Sequence, residues 1–311
     1  MPSIALKIDA DTYRGTREGV PRLADLLERL DVRATFLFSL GPDHTGRAVK
    51  RAFRRGFISK VRRTSVLEHY GLQTLLYGTL LPGPHIGKRC RAEMRDIARR
   101  GFEVGVHTYN HVKWQDGVAD ANECWTREQL QLARDQFMEI FERAPAVHGA
   151  AGWQINSAVP GLEQALEFRY ASDVRGTEPF IPVIDDIEVL VPQLPTTLPT
   201  LDELIGREDL QHVDPVDHLL ALTAAEPQRD HVFTLHAELE GGVYLSSLHR
   251  LLRIWRQRGV SLGDLAGAMA TLNVPRLPRC GIVMGSVAGR SGMLACQGVA
   301  RVPGRTFVRL K

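Results

Sequence analysis

The stretch IALKIDADTYRGT (residues 4–16) runs from an apolar segment straight into two aspartates, Asp9 and Asp11, with one alanine between them. Residues 4–8 read as a buried strand, so both carboxylates fall at its C-terminal end. Downstream the same grammar repeats. Residues 18–30 carry Leu23, Leu26, Leu27 and Leu30 at helical spacing with Pro21 near the start. Residues 34–39 (ATFLFS) read as a strand, 89–100 as a helix and 103–106 (EVGV) as a strand. Residues 126–142 form an amphipathic helix pattern. Strand patterns follow at 146–151, 170–172 and 232–235, and a helix pattern at 244–258. Strands alternating with helices predict a parallel sheet covered by helices, with functional groups gathered at the C-terminal ends of the strands.

The chain has 311 residues, 44% of them hydrophobic and 24% charged, which suits a globular α/β protein. Its net charge of +3 is modest. Cys90, Cys124, Cys280 and Cys296 show no C-x-x-C spacing, so zinc-finger and dithiol redox readings are excluded and free thiols in a reducing cytoplasm are expected. The N-terminal residues lack the pattern of a secretory signal, and no apolar run reaches membrane-spanning length.

Immediately after EVGV stands HTYNH. His107 and His111 lie four residues apart, a spacing that on a helical turn would aim two imidazoles at one divalent ion. Satisfied core or surface histidines would look the same. Asp9 and Asp11 reach the same rim, and a carboxylate with two histidines makes a three-ligand site that leaves a position open. The other aspartate could then serve as general base. On spacing alone, a capping role for the two aspartates stands beside this one. His236 ends the strand pattern VFTLH and could act as an acid, or be a half-buried polar residue. Asp173 follows another strand and could orient a histidine, or sit in a turn. Arg175 could bind phosphate, or form an ordinary salt bridge.

IDAD, HTYNH and TLH, in this order, resemble the motifs of the polysaccharide deacetylase (NodB-homology) family over roughly residues 1–270. The resemblance implies a distorted (β/α) barrel and an amide hydrolase holding one divalent ion (Zn, Mn, Co or Fe). By matching position, Asp9 is the base, Asp11, His107 and His111 are the ligands and His236 is the acid. This chain departs from the family twice. Its aspartates are separated rather than adjacent. The segment AAGWQIN lacks the arginine that orients the family's base. The stretches DADTYRGTREGVP, AAGWQ, SDVRGTEPF, LPTTLPTLDELIGR and LHAELEGG look like one branch of the family. That branch deformylates a formamido-arabinose carried on undecaprenyl phosphate, on the way to lipid A bearing aminoarabinose. The alternatives are an N-deacetylase of another amino-sugar glycan and a non-catalytic lipid-sugar binder.

Residues 44–88 read as an insertion. No acid occurs between His44 and Leu67, while Arg47, Lys50, Arg51, Arg54, Arg55, Lys60, Arg62 and Arg63 all do. The apolar stretch YGLQTLLYGTLLPGPHIG follows, offering Leu75, Leu76, Leu80 and Leu81 with Tyr70 and Tyr77. Such a segment suits peripheral binding to the anionic inner-membrane surface, each basic residue adding about 1 kcal/mol. A solvated basic face is the plain alternative. Nucleic acid is disfavoured because aromatics for base stacking are few. The expected division is a barrel over residues 1–275 and a C-terminal extension over 276–311, an irregular tail with short strands.

Overall fold

The computed structural model describes residues 2–48, 74–205 and 207–300. Its main sheet contains β1 (Ser3–Ala10), β2 (Thr35–Ser39), β3 (Glu103–Thr108), β4 (Val147–His148), β5 (Tyr170–Ala171), β8 (His231–His236) and β9 (Ser261–Gly263). The order is β5-β4-β3-β2-β1-β8, with β9 also on β1, and every pairing is parallel. The sheet curls into the half-barrel expected from the alternating pattern. A smaller four-stranded sheet contains β6 (Ile181–Ile184), β7 (Ile187–Glu188), β10 (Arg279–Gly285) and β11 (Leu294–Ala300), in the order β11-β10-β6-β7.

The period of two in each strand sorts side chains between faces. Ile4, Leu6, Ile8 and Ala10 of β1, Phe36 and Phe38 of β2, Val104 and Val106 of β3, and Phe233 and Leu235 of β8 point to the covering helices, where they form the main core. Ala5, Leu37, Val147 and Val232 turn inward with Tyr170 and Leu265 and fill the barrel. Further along the same inward rows stand Lys7, Asp9, His107, Thr234 and His236. The barrel is thus apolar at one end and ionisable at the other. The helix Val20–Arg29 follows β1 and buries Val20, Leu23, Leu26 and Leu27, at about 2 kcal/mol for each large side chain. It begins later than the leucine pattern suggested, because Gly15–Gly19 form a wider π-type turn. A β-carbon at Gly19 would lie 2.0 Å from the Ala237 carbonyl oxygen, so glycine lets this turn rest on the loop after β8.

The C-terminal segment is more regular than a tail. β10 and β11 form an antiparallel hairpin, and β10 continues in parallel onto β6 through Arg279↔Ile181. Cys280 and Ala295 of this hairpin share a small core with Trp114, Val118, Ala150 and Phe180. That core fixes the hairpin against the segments that end at the ionisable rim. Among the described residues, no helix is long and apolar enough to cross a membrane. Lys50, Arg51, Arg54, Arg55, Lys60, Arg62, Arg63 and Tyr70 lie outside the described residues. Arg47 donates to the Gly78 carbonyl at 2.8 Å, and Leu80 is 80% exposed.

Candidate active site

Asp9 of β1 is register partner of His236 of β8. The two side chains therefore leave adjacent strands on the same face. His107 ends β3, and His111 opens the helix His111–Gly117. HTYNH is thus a strand end, a turn and a helix start, not the single helical turn its spacing suggested. Asn110 makes the break: its side chain caps the helix by accepting the Lys113 N–H at 3.0 Å. The two rings still converge, with centroids 5.4 Å apart.

Asp11 faces both rings. Its Oδ1 lies 3.2 Å from His107 Nε2 and its Oδ2 lies 3.4 Å from His111 Nε2. Ligand atoms of the three residues all fall within 4.8 Å of one another. Two donors on a tetrahedral ion at metal–ligand distances of 2.0–2.1 Å stand about 3.4 Å apart, so the spacing fits. The tautomer fits too. His107 Nδ1 lies 2.6 Å from the Gly149 carbonyl, to which only an N–H can donate, and this leaves the Nε2 lone pair toward Asp11. Asp11 Oδ1 is buried without a hydrogen-bond partner among the described residues, as a ligand oxygen awaiting a cation would be. Burial would raise the Asp11 carboxyl, yet His111 and His107 beside it hold it well below the usual carboxylate range. Burial keeps His111 below its ordinary value, the direction that favours the neutral form a ligand needs.

Asp9 is 3% exposed. Its Oδ2 lies 3.6 Å from Lys7 Nζ, while Oδ1 has no hydrogen-bond partner among the described residues and lies 3.8 Å from His107 Nδ1. His236 sits edge-on to Trp153, with ring centroids 6.3 Å apart, and its Nδ1 is 3.6 Å from Asp202 Oδ1. Burial opposes a charged His236 ring, but Asp202 and Asp11 outweigh it and raise its affinity for a proton. Asp9 and His236 thus stand side by side next to one candidate cation site.

Asp173 lies elsewhere. It is fully buried in a cluster with His148 and Glu163, where His148 Nδ1 is 3.1 Å from Asp173 Oδ1 and 2.6 Å from Glu163 Oε1. His148 is pushed up to about 10: burial works against its charge, and the two carboxylates overcome it. Asp173 is linked to His107 through one peptide group. Its Oδ1 accepts the Ala150 N–H at 2.7 Å, and the carbonyl of that same peptide, Gly149 O, receives His107. Arg175 makes the salt bridge that the sequence left as its plainer reading. Its guanidinium donates to Glu203 Oε1 at 2.6 Å and to the Leu198 carbonyl at 3.0 Å.

Several residues at this rim were not singled out from the sequence. Glu238 accepts the Asp11 and Thr12 N–H groups and the Thr12 hydroxyl on a single oxygen. Burial, with Asp11 nearby, pushes its carboxyl up to about 8. Glu240 accepts the His236 N–H at 2.8 Å, and burial pushes it up to about 7. Trp153 holds a left-handed backbone (φ 52°), uncommon for a bulky residue. Arg175 and Arg290 lie 5.0 and 4.8 Å from its ring centroid. Arg290, from the loop of the β10–β11 hairpin, also pairs with Asp202 and Glu203, so the C-terminal segment forms one wall of the site. The repeated acids of HAELEGG were the signal available for Glu238 and Glu240. Nothing local marked Asp202 or Arg290.

Residues 2–171 match the family model described as polysaccharide deacetylase. A protein of Shewanella sediminis named "Probable 4-deoxy-4-formamido-L-arabinose-phosphoundecaprenol deformylase ArnD" is 35% identical over 249 residues, 80% of each chain. A Wigglesworthia glossinidia brevipalpis protein of the same name is 29% identical over 91% of this chain and 98% of its own. Among solved structures, a candidate polysaccharide deacetylase from Mycobacterium smegmatis superposes with a TM-score of 0.63 at 17% identity, covering 92% of this chain and 94% of that one. That last likeness speaks for the fold.

Proposed function

The chain belongs to the polysaccharide deacetylase family and is an amide hydrolase, and on that premise we propose that it removes the formyl group from 4-deoxy-4-formamido-L-arabinose carried on undecaprenyl phosphate. The observation that supports the chemistry is the side-by-side placing of Asp9 and His236 next to the cluster of Asp11, His107 and His111. The substrate rests on the names of the relatives and on the length of chain they share with this one.

Asp11, His107 and His111 would hold a divalent ion, which would supply Lewis-acid chemistry to the amide and the water when bound. Asp9, through its unpartnered Oδ1, takes the proton of the water as it adds to the formyl carbon. His236, kept protonated by Asp202, gives its proton to the sugar nitrogen as the C–N bond breaks. Formate and the 4-amino sugar lipid leave. The indole of Trp153 closes one side of His236 against solvent. A groove of about 590 Å³ adjoins the helix of His111, lined by His44, Arg47, Val112, Lys113 and Trp125 among others. With Asp116 and Asp120 balancing its two cations, it offers room and an aromatic face for parts of the substrate beyond the reacting sugar.

The test is formate release from the purified formamido-sugar lipid, by metal-stripped and by reconstituted protein, with elemental analysis to identify the ion. Asp9→Asn is expected to lose about 10³-fold in turnover while still binding lipid. A wild-type protein that releases no formate overturns the deformylase reading. Acetate release from an N-acetylated glycan instead would favour a deacetylase. Unaltered turnover in Asp9→Asn removes Asp9 as base. Residues 44–88 are proposed to dock on anionic membrane, an idea supported by their charge pattern and by exposed Leu80 and Leu81. Cosedimentation with anionic liposomes, against a variant neutralised from Arg47 to Arg63, checks it. Absence of binding by either protein ends the idea.

A further inference from the structure

We propose that Lys7 is the residue that positions the Asp9 carboxylate, in the role left vacant by the missing arginine of AAGWQIN. The inference rests on Asp9 being the base of the proposed reaction. It starts from the alternation in β1. Lys7 and Asp9 are two residues apart on a strand, so both side chains enter the barrel from the same face. Lys7 is fully buried, among the largest such side chains in the molecule. A lysine in that position needs an anion, and the carboxylate facing it is Asp9, with Nζ to Oδ2 at 3.6 Å. The ammonium is itself anchored: it donates to the Ser172 carbonyl at the end of β5, at 2.9 Å. It also lies 5.4 Å from the centroid of Trp153, the AAGWQIN residue whose indole occupies this side of the site.

The consequence for Asp9 is an asymmetry between its oxygens. Oδ2 faces a fixed cation. Oδ1 is buried and carries no hydrogen bond among the described residues, so its lone pairs are the ones left unsatisfied. Lys7 makes no contact with Asp11, His107 or His111 among the described ion pairs and hydrogen bonds. Its removal should therefore misplace the base and leave the cation site intact.

The experiment compares Lys7→Met, Lys7→Arg and Asp9→Asn with the double variant Lys7→Met/Asp9→Asn, using metal-loaded full-length protein. Lys7→Met is expected to lower kcat about 100-fold, as a base misplaced by about 1 Å would, with KM and metal content unchanged. Lys7→Arg, which keeps a cation, is expected to recover part of the loss. In the Asp9→Asn background, Lys7→Met should cost nothing further, because the two act as a unit. Should the Met variant not fold, Lys7→Gln, which still donates to Ser172 O, should show the same loss. Crystal structures of the wild type and the charge-free variant give a readout independent of turnover: the Asp9 carboxylate should leave its place. Wild-type kcat in the charge-free variant, an undiminished effect in the Asp9→Asn background, or an unmoved Asp9 carboxylate would each overturn the proposal. A wild type that releases no formate counts against the deformylase reading alone, and the crystallographic comparison still decides Lys7.

Discussion

Gly15→Ala is the sharpest single test of how the Asp11 turn is held. Gly15 has an ordinary negative φ, so alanine there suffers no backbone strain, and its whole effect is crowding. The new β-carbon would stand 1.9 Å from Glu238 Oε1 and 2.4 Å from its Cδ. That oxygen receives the Asp11 N–H at 3.1 Å, the Thr12 N–H at 2.8 Å and the Thr12 hydroxyl at 2.7 Å. Glu238 is buried and must move to admit the methyl group. Three hydrogen bonds at about 1 kcal/mol each, with overpacking of about 1 kcal/mol or more, give a loss of about 4 kcal/mol. This is a large part of the 5–15 kcal/mol that holds a typical domain together. Urea denaturation of metal-free protein measures the loss, and titration calorimetry measures the accompanying fall in metal affinity. The cycle with Glu238→Ala supplies the control: once the carboxylate is gone the methyl group has room, so Gly15→Ala should then cost almost nothing. Wild-type stability in Gly15→Ala, or the full loss repeated in the Glu238→Ala background, would refute the reasoning.

Asp202→Asn removes the anion that raises the His236 pKa, so the alkaline limb of kcat/KM should move to lower pH, read from a pH–rate profile. Asp173→Asn weakens the support that reaches His107 through the Gly149–Ala150 peptide. Equilibrium dialysis should show metal affinity about 10- to 100-fold lower. The raised His148 contributes stability that is complete below its unfolded value of 6.5 and is lost as pH rises through about 10. His148→Gln should therefore be less stable than wild type at pH 6.5, and the gap in thermal midpoint should close as pH approaches 10.

The carboxylates and histidines of the rim were legible because each closes an apolar run, and chemistry at the ends of parallel strands leaves that signature. The strand-and-helix alternation was legible for the same reason: burial on both faces makes continuous apolar stretches. Lys7 was not legible. One lysine inside IALKIDAD looks like an interruption, and the carbonyl that anchors it lies 165 positions away. HTYNH misled because a four-residue spacing fits a helix and also a strand–turn–helix, and Asn110 as a cap was the clue between them. The tail read as irregular with short strands because its glycines and prolines blur the pattern, and β6, the partner of β10, is distant in sequence. Arg175 could not be resolved locally, since Glu203 reaches it only through the fold.

The side-by-side register of Asp9 and His236 has a consequence for the timing of folding. Asp11 and Glu238, which flank that pair, are 227 positions apart in the chain. β1 can gather β2 and β3 early, through nearer neighbours, and so bring Asp9, Asp11 and His107 together. His236, the proposed proton donor, arrives only when β8 docks along the opposite edge of β1. Pairings of such long range are slow, because the intervening loop entropy must be overcome first. On the proposed assignment, the candidate cation site of a chain emerging from the ribosome would form before His236 arrives, and activity would report that β8 has docked on β1.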